Sequence, residues 1–418
     1  MRPEWFRPRR YRHLDAPVGE RFLRQAERPE FVARHDFLPL LHFVKTERRY
    51  KRQPDGTRAI EAKDRDIMFA SHRDACILSL YSARLNALLE AHYRAADLED
   101  CALAYRRTGF ANYDFAAEAL AFARSNAPVT ILAFDVTKFF NTLDHRLLKE
   151  RLRRILGGTI PDDWYRVLRA LIHFSFIDLG ELRTHPAFED RFGPGQRGPI
   201  GTIAELKAAG VPIGTNKGAG RGIPQGTPIS ASLSNLYMTD FDAAAKAACT
   251  ARGALYRRYS DDILVICRAE DAANLERAIM DLVRAERLEI NPGKTERTTF
   301  DPTDPAMGAR PLAQYLGFEF GPKGALIRRG SLARRWRKLR YHLRRLHRIA
   351  EESRRSGGPL YTKSFHRRFT RSDVRNFGAY GRRSAKAFGG APGIRRQVVR
   401  LERAAQKGLK DIRDGKRP

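Results

Sequence analysis

The chain has 418 residues, enough for two or three domains, and its apolar content of 42% is ordinary for a globular protein. A formal net charge of +30 exceeds what a solvated surface needs and indicates a polyanionic partner. No cysteine pair has zinc-site spacing, no run of about 18 apolar residues spans a membrane, and the N-terminus lacks the apolar segment of a secretory signal. These features favour a cytoplasmic protein that handles nucleic acid and has no membrane partner.

The N-terminal half predicts short strands and helices. The segments "FVKTERRY" and "RAIEA" are possible strands on either side of the polar turn "KRQPDGTR". Residues 66–95 have apolar residues at helical spacing, and residues 113–125 predict a second helix. The apolar run "PVTILAFDV" predicts a buried strand that ends at Asp135. Asp144 is the expected N-cap of a helix over about 144–156.

The C-terminal half begins with a segment rich in Gly and Pro, residues 190–222, which predicts a long loop. A helix over about 231–250, a strand pair over about 254–267 and a helix over about 271–286 follow. From residue 331 the chain is helical and strongly basic, beginning with "SLARRWRKLRYHLRRLHRIAEES".

Positive charge is concentrated at the C-terminal end. Residues 321–418 contain 30 Lys and Arg against 6 Asp and Glu, a net +24 of the total +30. Tyr, Phe and aliphatic residues are interleaved with the basic ones, which favours a folded nucleic-acid-binding region over a solvated or disordered tail. Such interleaving suits single-stranded or folded RNA, because bases stack on aromatic rings.

The segment "RRYSDDILVIC", residues 257–267, sets two adjacent carboxylates between apolar runs. It predicts a β-hairpin whose tight turn holds Asp261 and Asp262. Burying ionised carboxylates without a partner is costly, and a divalent metal removes that cost. Asp oxygens are hard ligands suited to Mg²⁺. Taken alone, the motif is also compatible with an ordinary solvated turn.

Two further segments add to this motif. Asp135 ends an apolar strand. If that strand lies beside the Asp-Asp hairpin, the two adjacent strands can hold two metal ions. Two such ions bind the attacking and leaving oxygens of an in-line phosphoryl displacement. The segment "GIPQGTPISASLSNLYM" predicts a rigid turn with Gln225 before a helix, whose N-terminus favours phosphate. Cap or surface roles are expected for Asp144, Asp240 and Asp242.

In this order, "FDVTKFF", "GIPQGTPISASLSNLYM" and "YSDD" resemble three palm motifs of reverse transcriptases, with Ser260 at the variable position of Tyr-x-Asp-Asp. "LEINPGKTE" resembles the motif that follows, with its lysine Lys294, and "YLGFEF" resembles the primer-grip turn, with Leu316 and Gly317. "KRQPDGTRAI" resembles the fingers hairpin that holds the triphosphate. The resemblance covers about residues 45–320.

The resemblance implies roles for individual residues. The implied catalytic residues are Asp135, Asp261 and Asp262. The implied ligands of two Mg²⁺ ions, with Mn²⁺ as a substitute, are Asp135, Val136, Asp261 and Asp262. The residues expected at the incoming dNTP are Lys51, Arg58, Phe140, Gln225 and Lys294. The residues expected at nucleic acid are Tyr259, Leu316, Gly317, Arg335, Trp336, Arg337 and Arg340.

Phe140 bears on the choice of sugar. It falls five residues after Asp135, where reverse transcriptases carry an aromatic steric gate that crowds a ribose 2′-hydroxyl. RNA-dependent RNA polymerases commonly have an aspartate there and Gly-Asp-Asp in the hairpin, and this chain has neither. The resemblance therefore implies DNA synthesis. The alternative is that Phe140 is a core aromatic.

The implied fold class is α+β: a right-hand polymerase with fingers and palm, in which an antiparallel sheet packs on helices, and an α-helical basic thumb. The implied boundaries are an N-terminal basic extension at 1–44, fingers at 45–130, a palm at 131–320 with an insert at about 150–222, and the thumb with the basic C-terminal region at 321–418.

The chain shows no zinc-type endonuclease pattern, RNase H carboxylate set or protease, so it resembles stand-alone bacterial reverse transcriptases. "HDFLPLLHFVKTERRYK" and "LAYRRTGFANYDFAAEAL" resemble the defence-associated groups more than retrons. This implies an RNA-directed DNA polymerase that uses dNTPs to make cDNA on a partner non-coding RNA in anti-phage defence. The alternatives are a stand-alone or retron-type enzyme outside defence, a vestigial RNA-binding homologue and an RNA polymerase. Priming and oligomeric state stay open.

Overall fold

The computed structural model describes residues 3–52, 57–291, 293, 295–371 and 373–418, without the side chains of residues 49–52, 58 and 61. The chain divides into two compact units, each assembled from separate segments. Unit 1 consists of Met1–Arg106, Val136–Ala245 and Ile279–Asn291. Unit 2 consists of Arg107–Asp135, Lys246–Ala278 and Pro292–Pro418. No helix in the described ranges is both long and apolar enough to cross a membrane.

The strands, in chain order, are β1 (Leu40–Val44), β2 (Glu47–Arg52), β3 (Arg58–Lys63), β4 (Asp66–Phe69), β5 (Val129–Asp135), β6 (Ser175–Asp178), β7 (Gly214–Thr215), β8 (Leu255–Tyr259), β9 (Asp262–Cys267), β10 (Glu296–Phe300), β11 (Gln314–Tyr315), β12 (Phe318–Gly321) and β13 (Gly324–Ile327).

The α-helices are α1 (Glu20–Ala26), α2 (Pro29–Ala33), α3 (His72–Ala95), α4 (Asn112–Ser125), α5 (Phe139–Thr142), α6 (His145–Ile155), α7 (Asp162–Ile172), α8 (Leu179–Thr184), α9 (Ile203–Ala208), α10 (Ser230–Tyr237), α11 (Thr239–Thr250), α12 (Ala272–Ala285), α13 (Arg329–Ser356), α14 (Lys363–Phe369), α15 (Phe377–Ala387) and α16 (Pro392–Arg413). Short 3-10 helices lie at Glu189–Phe192 and Pro305–Ala309.

Unit 1 contains a four-stranded sheet of order β4-β1-β6-β7, in which β1 runs antiparallel to β4 and parallel to β6. A core of apolar residues lies against this sheet, and it includes Leu41, Ile177, Leu182 and Leu206. The strands β2 and β3 form a separate antiparallel hairpin. The strand pair predicted on either side of the polar turn is therefore confirmed.

The N-terminal segment is packed into unit 1. The hydroxyl of Tyr11 donates to the carbonyl oxygen of Ala70 at 2.7 Å, and the amide of Ile200 donates to the carbonyl oxygen of His13 at 2.8 Å. The Asp15 carboxylate accepts from the first two amides of α3, each at 2.8 Å. A carboxylate is favourable there because the first amides of a helix have no intrahelical acceptor. Residues 11–15 thus connect the start of α3 to the region before α9.

Unit 2 is built on an antiparallel sheet of order β10-β5-β9-β8. The two inner strands β5 and β9 are almost entirely buried except at the end of β5 and the start of β9, which agrees with their continuous apolar sequences. The helix α4 and the three-stranded sheet β11-β12-β13 share one core with this sheet, in which Leu264, Ile266, Phe318 and Phe320 are fully buried.

The basic C-terminal region is a helical assembly with its own core. The buried stripe of α13 is Leu339, Leu343, Leu346 and Ala350. It packs with residues of α14 and α16. A Cβ on Gly408 would lie 2.7 Å from Leu343 Cδ1, so α13 and α16 are in close contact there and a larger residue would displace the Leu343 side chain. The aliphatic residues interleaved with arginine therefore form a core, which excludes a disordered tail for these helices.

The α+β fold class with an antiparallel sheet packed on helices is confirmed, while three local predictions are wrong. Residues 66–69 are strand β4, and α3 begins only at His72, because the Ser71 hydroxyl caps it by accepting from the Asp74 amide at 3.2 Å. Residues 190–222 are not only loop, since a Thr202–Glu205 capping box starts the short helix α9 there. The helix expected over 231–250 is two helices, α10 and α11.

We expect His13 to make unit 1 sensitive to acid. The ring is fully buried, and its two nitrogens accept from the Leu14 amide at 2.8 Å and donate to the Phe69 carbonyl oxygen at 3.2 Å, which requires the neutral form. Burial lowers the pKa of His13 to about 4, whereas the unfolded value is 6.5. As the pH falls from 6.5 towards 4, only the unfolded chain gains this proton, so stability is lost.

Near pH 5 the expected loss is about 2 kcal/mol relative to pH 7. Urea unfolding at about pH 7 and about pH 5 measures it in the natural chain and in His13→Gln. The variant should be less stable at neutral pH but should lose less on acidification. An equal loss in both proteins would contradict the assignment.

Candidate active site

The hairpin of β8 and β9 turns on two residues, Ser260 and Asp261, and Tyr259 pairs with Asp262 across its closed end. Ser260 has a φ of 62°, a left-handed conformation that costs energy for a residue with a Cβ. Arg258 is fully buried and donates from Nη1 to the carbonyl oxygen of Ser260 at 3.2 Å. A buried guanidinium therefore stabilises the turn that carries the aspartates.

Asp135 and Asp262 lie directly opposite each other in the antiparallel pair of β5 and β9. Directly opposed residues project from the same face with Cβ atoms about 4.5–5.5 Å apart. Asp262 is exposed, and Asp135 and Asp261 are half-buried, while the run from Ile263 onwards is buried. The structure thus brings the three predicted aspartates to one end of the sheet, but it corrects the expectation that the Asp-Asp pair is buried.

The carboxylates around this end fit a divalent cation. Mg²⁺ binds through one or two carboxylates together with substrate phosphates and does not need an all-protein cage. Within the described ranges no group of three or more His, Cys, Asp and Glu side chains is arranged to hold a metal ion. The metal ligands that the pairing of β5 with β9 brings together are therefore the carboxylates of Asp135 and Asp262. Val136 has only a backbone carbonyl to offer, and its backbone pairs with that of Ile290 in unit 1.

Around the hairpin, a second buried arginine fixes strand β8. Arg257 forms an ion pair with Glu118 of α4 and donates from Nη1 to the Tyr256 carbonyl oxygen at 2.8 Å. The pKa of Tyr315 is raised, first by burial and then by the negative charges of Asp262 and Glu118. The Tyr315 phenol therefore stays protonated beside the aspartates.

The residues expected at the primer lie in unit 2 as well. Leu316 and Gly317 form the turn between β11 and β12, with φ values of 46° and 90°. Asn112 of α4 donates to the Leu316 carbonyl oxygen at 2.9 Å, and the Arg328 amide donates to the Gly317 carbonyl oxygen at 2.9 Å. This turn is held by hydrogen bonds at both residues. Tyr259 is half-buried at the hairpin end.

Phe140 and Gln225, two of the residues expected at the dNTP, belong to unit 1. The carbonyl oxygen of Phe140 accepts from the Ile223 amide at 2.8 Å, and that of Gln225 accepts from the Met68 amide at 2.8 Å. A Cβ on Gly226 would lie 2.6 Å from the Met68 carbonyl oxygen, so the backbone approaches β4 as only glycine allows. Phe140 is half-buried, so it is not a fully buried core aromatic.

Three other dNTP candidates cannot be placed as side chains. Lys51 and Arg58 pair with Ala59 and Arg52 across the β2–β3 hairpin, and their side chains lie outside the described atoms. Lys294 lies outside the described residues.

The four candidates on α13 divide into two kinds. Arg335 is half-buried, its guanidinium lies 4.8 Å from the centre of the Phe377 ring, and burial lowers its pKa. Trp336 is half-buried against the helical core. Arg337 and Arg340 are exposed. Arg335 and Trp336 therefore contribute to packing, and Arg337 and Arg340 are the ones that face solvent.

The other predicted acids have structural partners. Asp144 caps α6 by accepting from the Arg146 amide at 2.9 Å, as predicted, and pairs with Arg287 at 2.7 Å. Asp240 pairs with Arg154 at 2.5 Å. Asp242 is fully buried in the first turn of α11, so a surface role is wrong for it.

Sequence reasoning missed Arg257, Arg258 and Asn112. Two adjacent arginines just before the turn of an otherwise apolar hairpin, in "LYRRYSDD", are the signal that was present. Buried arginine needs partners, and the backbone of a strained turn is one. Asn112 left no such signal, because its partner lies some 200 residues further along the chain.

Residues 200–320 match the protein-family model described as "Reverse transcriptase (RNA-dependent DNA polymerase)". The match contains Gln225, Asp261 and Asp262, and Asp135 and Phe140 lie outside it. It indicates a reverse transcriptase domain in this part of the chain. Domains of this family generally use divalent metal ions. No curated protein matches the chain.

Solved structures of telomerase are similar at 11% identity. The match to apo telomerase from Candida tropicalis, truncated from the C-terminal domain, covers 69% of this chain and 56% of the telomerase chain, with a TM-score of 0.44. The match to telomerase from Candida albicans in complex with a TWJ fragment of telomeric RNA covers 96% of this chain and 65% of the telomerase chain, with a TM-score of 0.44. The match to apo telomerase from Candida tropicalis covers 90% of this chain and 60% of the telomerase chain, with a TM-score of 0.45. The chain thus spans less than two thirds of each.

Replacing Arg258 by Met is expected to destabilise unit 2, because it removes a charged donor from the Ser260 carbonyl oxygen. The expected cost is about 1.5–3 kcal/mol. Arg268→Met, which removes an equal charge from an exposed position after β9, is the control and should cost less than about 0.5 kcal/mol. Urea unfolding measures both changes, and equal effects would show that Arg258 does not stabilise the turn.

Proposed function

We propose that this chain is an RNA-directed DNA polymerase that makes cDNA from dNTPs with Mg²⁺, or Mn²⁺ as a substitute. The observation that carries the proposal is the register of β5 and β9, which sets Asp135 opposite Asp262, with Asp261 one residue away in the turn. Asp135 and the adjacent pair Asp261 and Asp262 are remote from each other in the sequence, yet they lie at the same accessible end of a buried sheet. The family match over residues 200–320 supports the same activity.

In this proposal Asp135, Asp261 and Asp262 bind two Mg²⁺ ions together with the Val136 carbonyl. When bound, such ions lower the pKa of a 3′-hydroxyl and stabilise the leaving pyrophosphate. The chain's own part is to hold the carboxylates in place: the hydrogen-bonded register fixes Asp135 against Asp262, and Arg258 fixes the turn. The buried residues of the sheet behind them keep this arrangement in place.

The remaining roles follow the sequence resemblance. Lys51, Arg58, Gln225 and Lys294 contact the dNTP, and Phe140 excludes the ribose 2′-hydroxyl. The primer strand contacts Tyr259, Leu316 and Gly317. All of these residues belong to a fingers and palm region that extends over residues 45–320. The template phosphates are neutralised by Arg337 and Arg340 on the exposed side of α13. This helix belongs to a thumb and basic region that extends over residues 321–418.

We further propose that the template is a structured non-coding RNA and that the cDNA serves bacterial anti-phage defence. The net charge of +24 after residue 320, on helices with a packed core, supports an RNA partner. A cytoplasmic location is part of this proposal, and the four cysteines, which are buried and form no disulfide, are compatible with a reducing compartment.

A second candidate function is RNA binding without catalysis. It would require the aspartates to be vestigial, and their cross-strand pairing favours the polymerase.

Replacing Asp261 and Asp262 together by Asn keeps the shape of the turn but removes charge from the metal ligands. Incorporation of dNTPs on a primed RNA template is expected to fall at least about a thousandfold, or about 4 kcal/mol, and Asp135→Asn alone should act similarly. Asp411→Asn with Asp414→Asn, in the last helical turn and just after it, is the matched control. If phage resistance survives the loss of synthesis, the RNA-binding alternative holds.

The Phe140→Ala variant tests sugar selection. It should incorporate NTPs at least about tenfold better relative to dNTPs, since the half-buried ring no longer crowds a 2′-hydroxyl. Phe139→Leu, at the buried neighbouring position, is the control and should leave the ratio unchanged. A natural chain that prefers NTPs would identify an RNA polymerase instead.

Sequencing the RNA and DNA that copurify with the protein tests the partner. We expect one enriched non-coding RNA together with DNA complementary to it, and no such DNA with Asp261→Asn and Asp262→Asn. RNA without any enriched species would remove the dedicated template from the proposal and leave the polymerase activity standing.

A further inference from the structure

A cavity of about 210 Å³ lies within unit 1, between α3, α7 and the ends of β1 and β6. We call it the α3–α7 cavity. It is formed by segments that lie far apart in the sequence, and it includes none of the residues assigned to polymerisation above. Its lining combines apolar side chains with several basic ones, a combination that a structural cavity in a protein core does not need.

The basic residues of the cavity are Arg166 and Arg169 on one face of α7, His173 just after that helix, and Lys217 in the loop after β7. Arg166 is occupied, because it donates to the His35 carbonyl oxygen at 2.7 Å and to the Asp36 carboxylate at 2.6 Å. The side chains of Arg169 and Lys217 are exposed and make no hydrogen bond or ion pair within the described part of the chain. Two positive charges therefore remain at the mouth of the cavity.

The acidic residue in the lining does not neutralise them. Asp74 is almost fully buried, and its two carboxylate oxygens accept from His35 Nε2 at 2.7 Å and from the Leu38 amide at 2.9 Å. Burial raises the pKa of Asp74. The cavity therefore combines apolar walls with a cationic entrance.

The interior surface suits a flat ring. Phe37 and Phe174 line it together with Leu40, Leu78 and Leu171. Phe174 and the leucines are buried, and Phe37 is half-buried. A volume below the roughly 300–1,000 Å³ of drug-sized sites limits the occupant to one ring system. An anionic group attached to that ring would stay outside, within reach of Arg169 and Lys217.

We propose that the α3–α7 cavity binds a nucleoside 5′-phosphate, with the base between the apolar walls and the phosphate on Arg169 and Lys217. Aromatic and apolar side chains accept any base face, and two cations fit a phosphate of charge between −1 and −2. The ligand is either a free nucleotide or one unpaired residue of a single-stranded nucleic acid, which present the same chemistry. The site is separate from the aspartates and does not rest on the proposed polymerase function.

Equilibrium dialysis of AMP in the presence of EDTA tests the site, since the chelator removes the metal that polymerisation needs. Arg169→Ala with Lys217→Ala should weaken AMP binding at least about tenfold. The matched control is Arg153→Ala with Lys207→Ala, which removes two exposed charges of unit 1 outside the cavity and should change binding less than about twofold. Asp261→Asn with Asp262→Asn should bind AMP like the natural chain.

A second variant fills the cavity without changing charge. Ala170 on α7 lines it and is half-buried, so Ala170→Phe should exclude the base while both cations remain. Far-UV circular dichroism and the urea midpoint check that the variant is folded. If AMP binds equally to the natural chain, the charge variant and the filled variant, the proposal is wrong.

Photocrosslinking of a short single-stranded RNA that contains 4-thiouridine distinguishes the two sources. A free-nucleotide site predicts AMP binding that both variants lose. A nucleic-acid site predicts crosslinks to peptides containing Phe37 or Phe174 that Ala170→Phe removes, with weak or no AMP binding. Absence of both AMP binding and these crosslinks in the natural chain overturns the proposal, whatever the outcome of the polymerase assays.

Discussion

The hydrogen-bonded register between β5 and β9 is the constraint on which the candidate active site depends. Side chains alternate between the faces of a strand, so a slip of one residue would move Asp135 to the face opposite Asp262. The pairs from Thr130–Cys267 to Phe134–Ile263 resist such a slip, because most of these residues are buried and apolar. The apolar core of unit 2 thus determines where three charged groups stand, although none of them belongs to it.

Arginine is the second element of this arrangement, and it serves two purposes in the chain. Arg257 and Arg258 are buried and stabilise the hairpin through a carboxylate and a backbone carbonyl. Arg337 and Arg340 are exposed on α13 above a stripe of leucines. A net charge of +30 therefore does not measure nucleic-acid affinity directly, because some of the arginines are buried and cannot contact nucleic acid.

Local patterns were enough to predict β5, the β8–β9 hairpin, the Asp144 cap and the helix of the basic region. Each depends on neighbours in the sequence: an apolar run, a two-residue turn, a capping side chain and a 3–4 spacing. The start of α3 was missed because the helical spacing of apolar residues continues into the residues of β4. These residues form a strand because they pair with β1. That Asp135 lies beside the Asp-Asp hairpin was expected from its place at the end of an apolar strand and from the family resemblance. Neither the role of Asn112 nor the α3–α7 cavity could be predicted, since both join distant segments.

The path of the chain through the two units has a consequence for synthesis on the ribosome. Unit 1 takes its last segment from Ile279–Asn291, and the N-terminal residues 11–15 bond to Ala70, Ile200 and the start of α3. The chain must therefore emerge as far as Asn291 before unit 1 is complete, and well beyond it before unit 2 is. Until then, apolar strands such as β5 are exposed on the nascent chain. We therefore expect chaperones to bind it during synthesis.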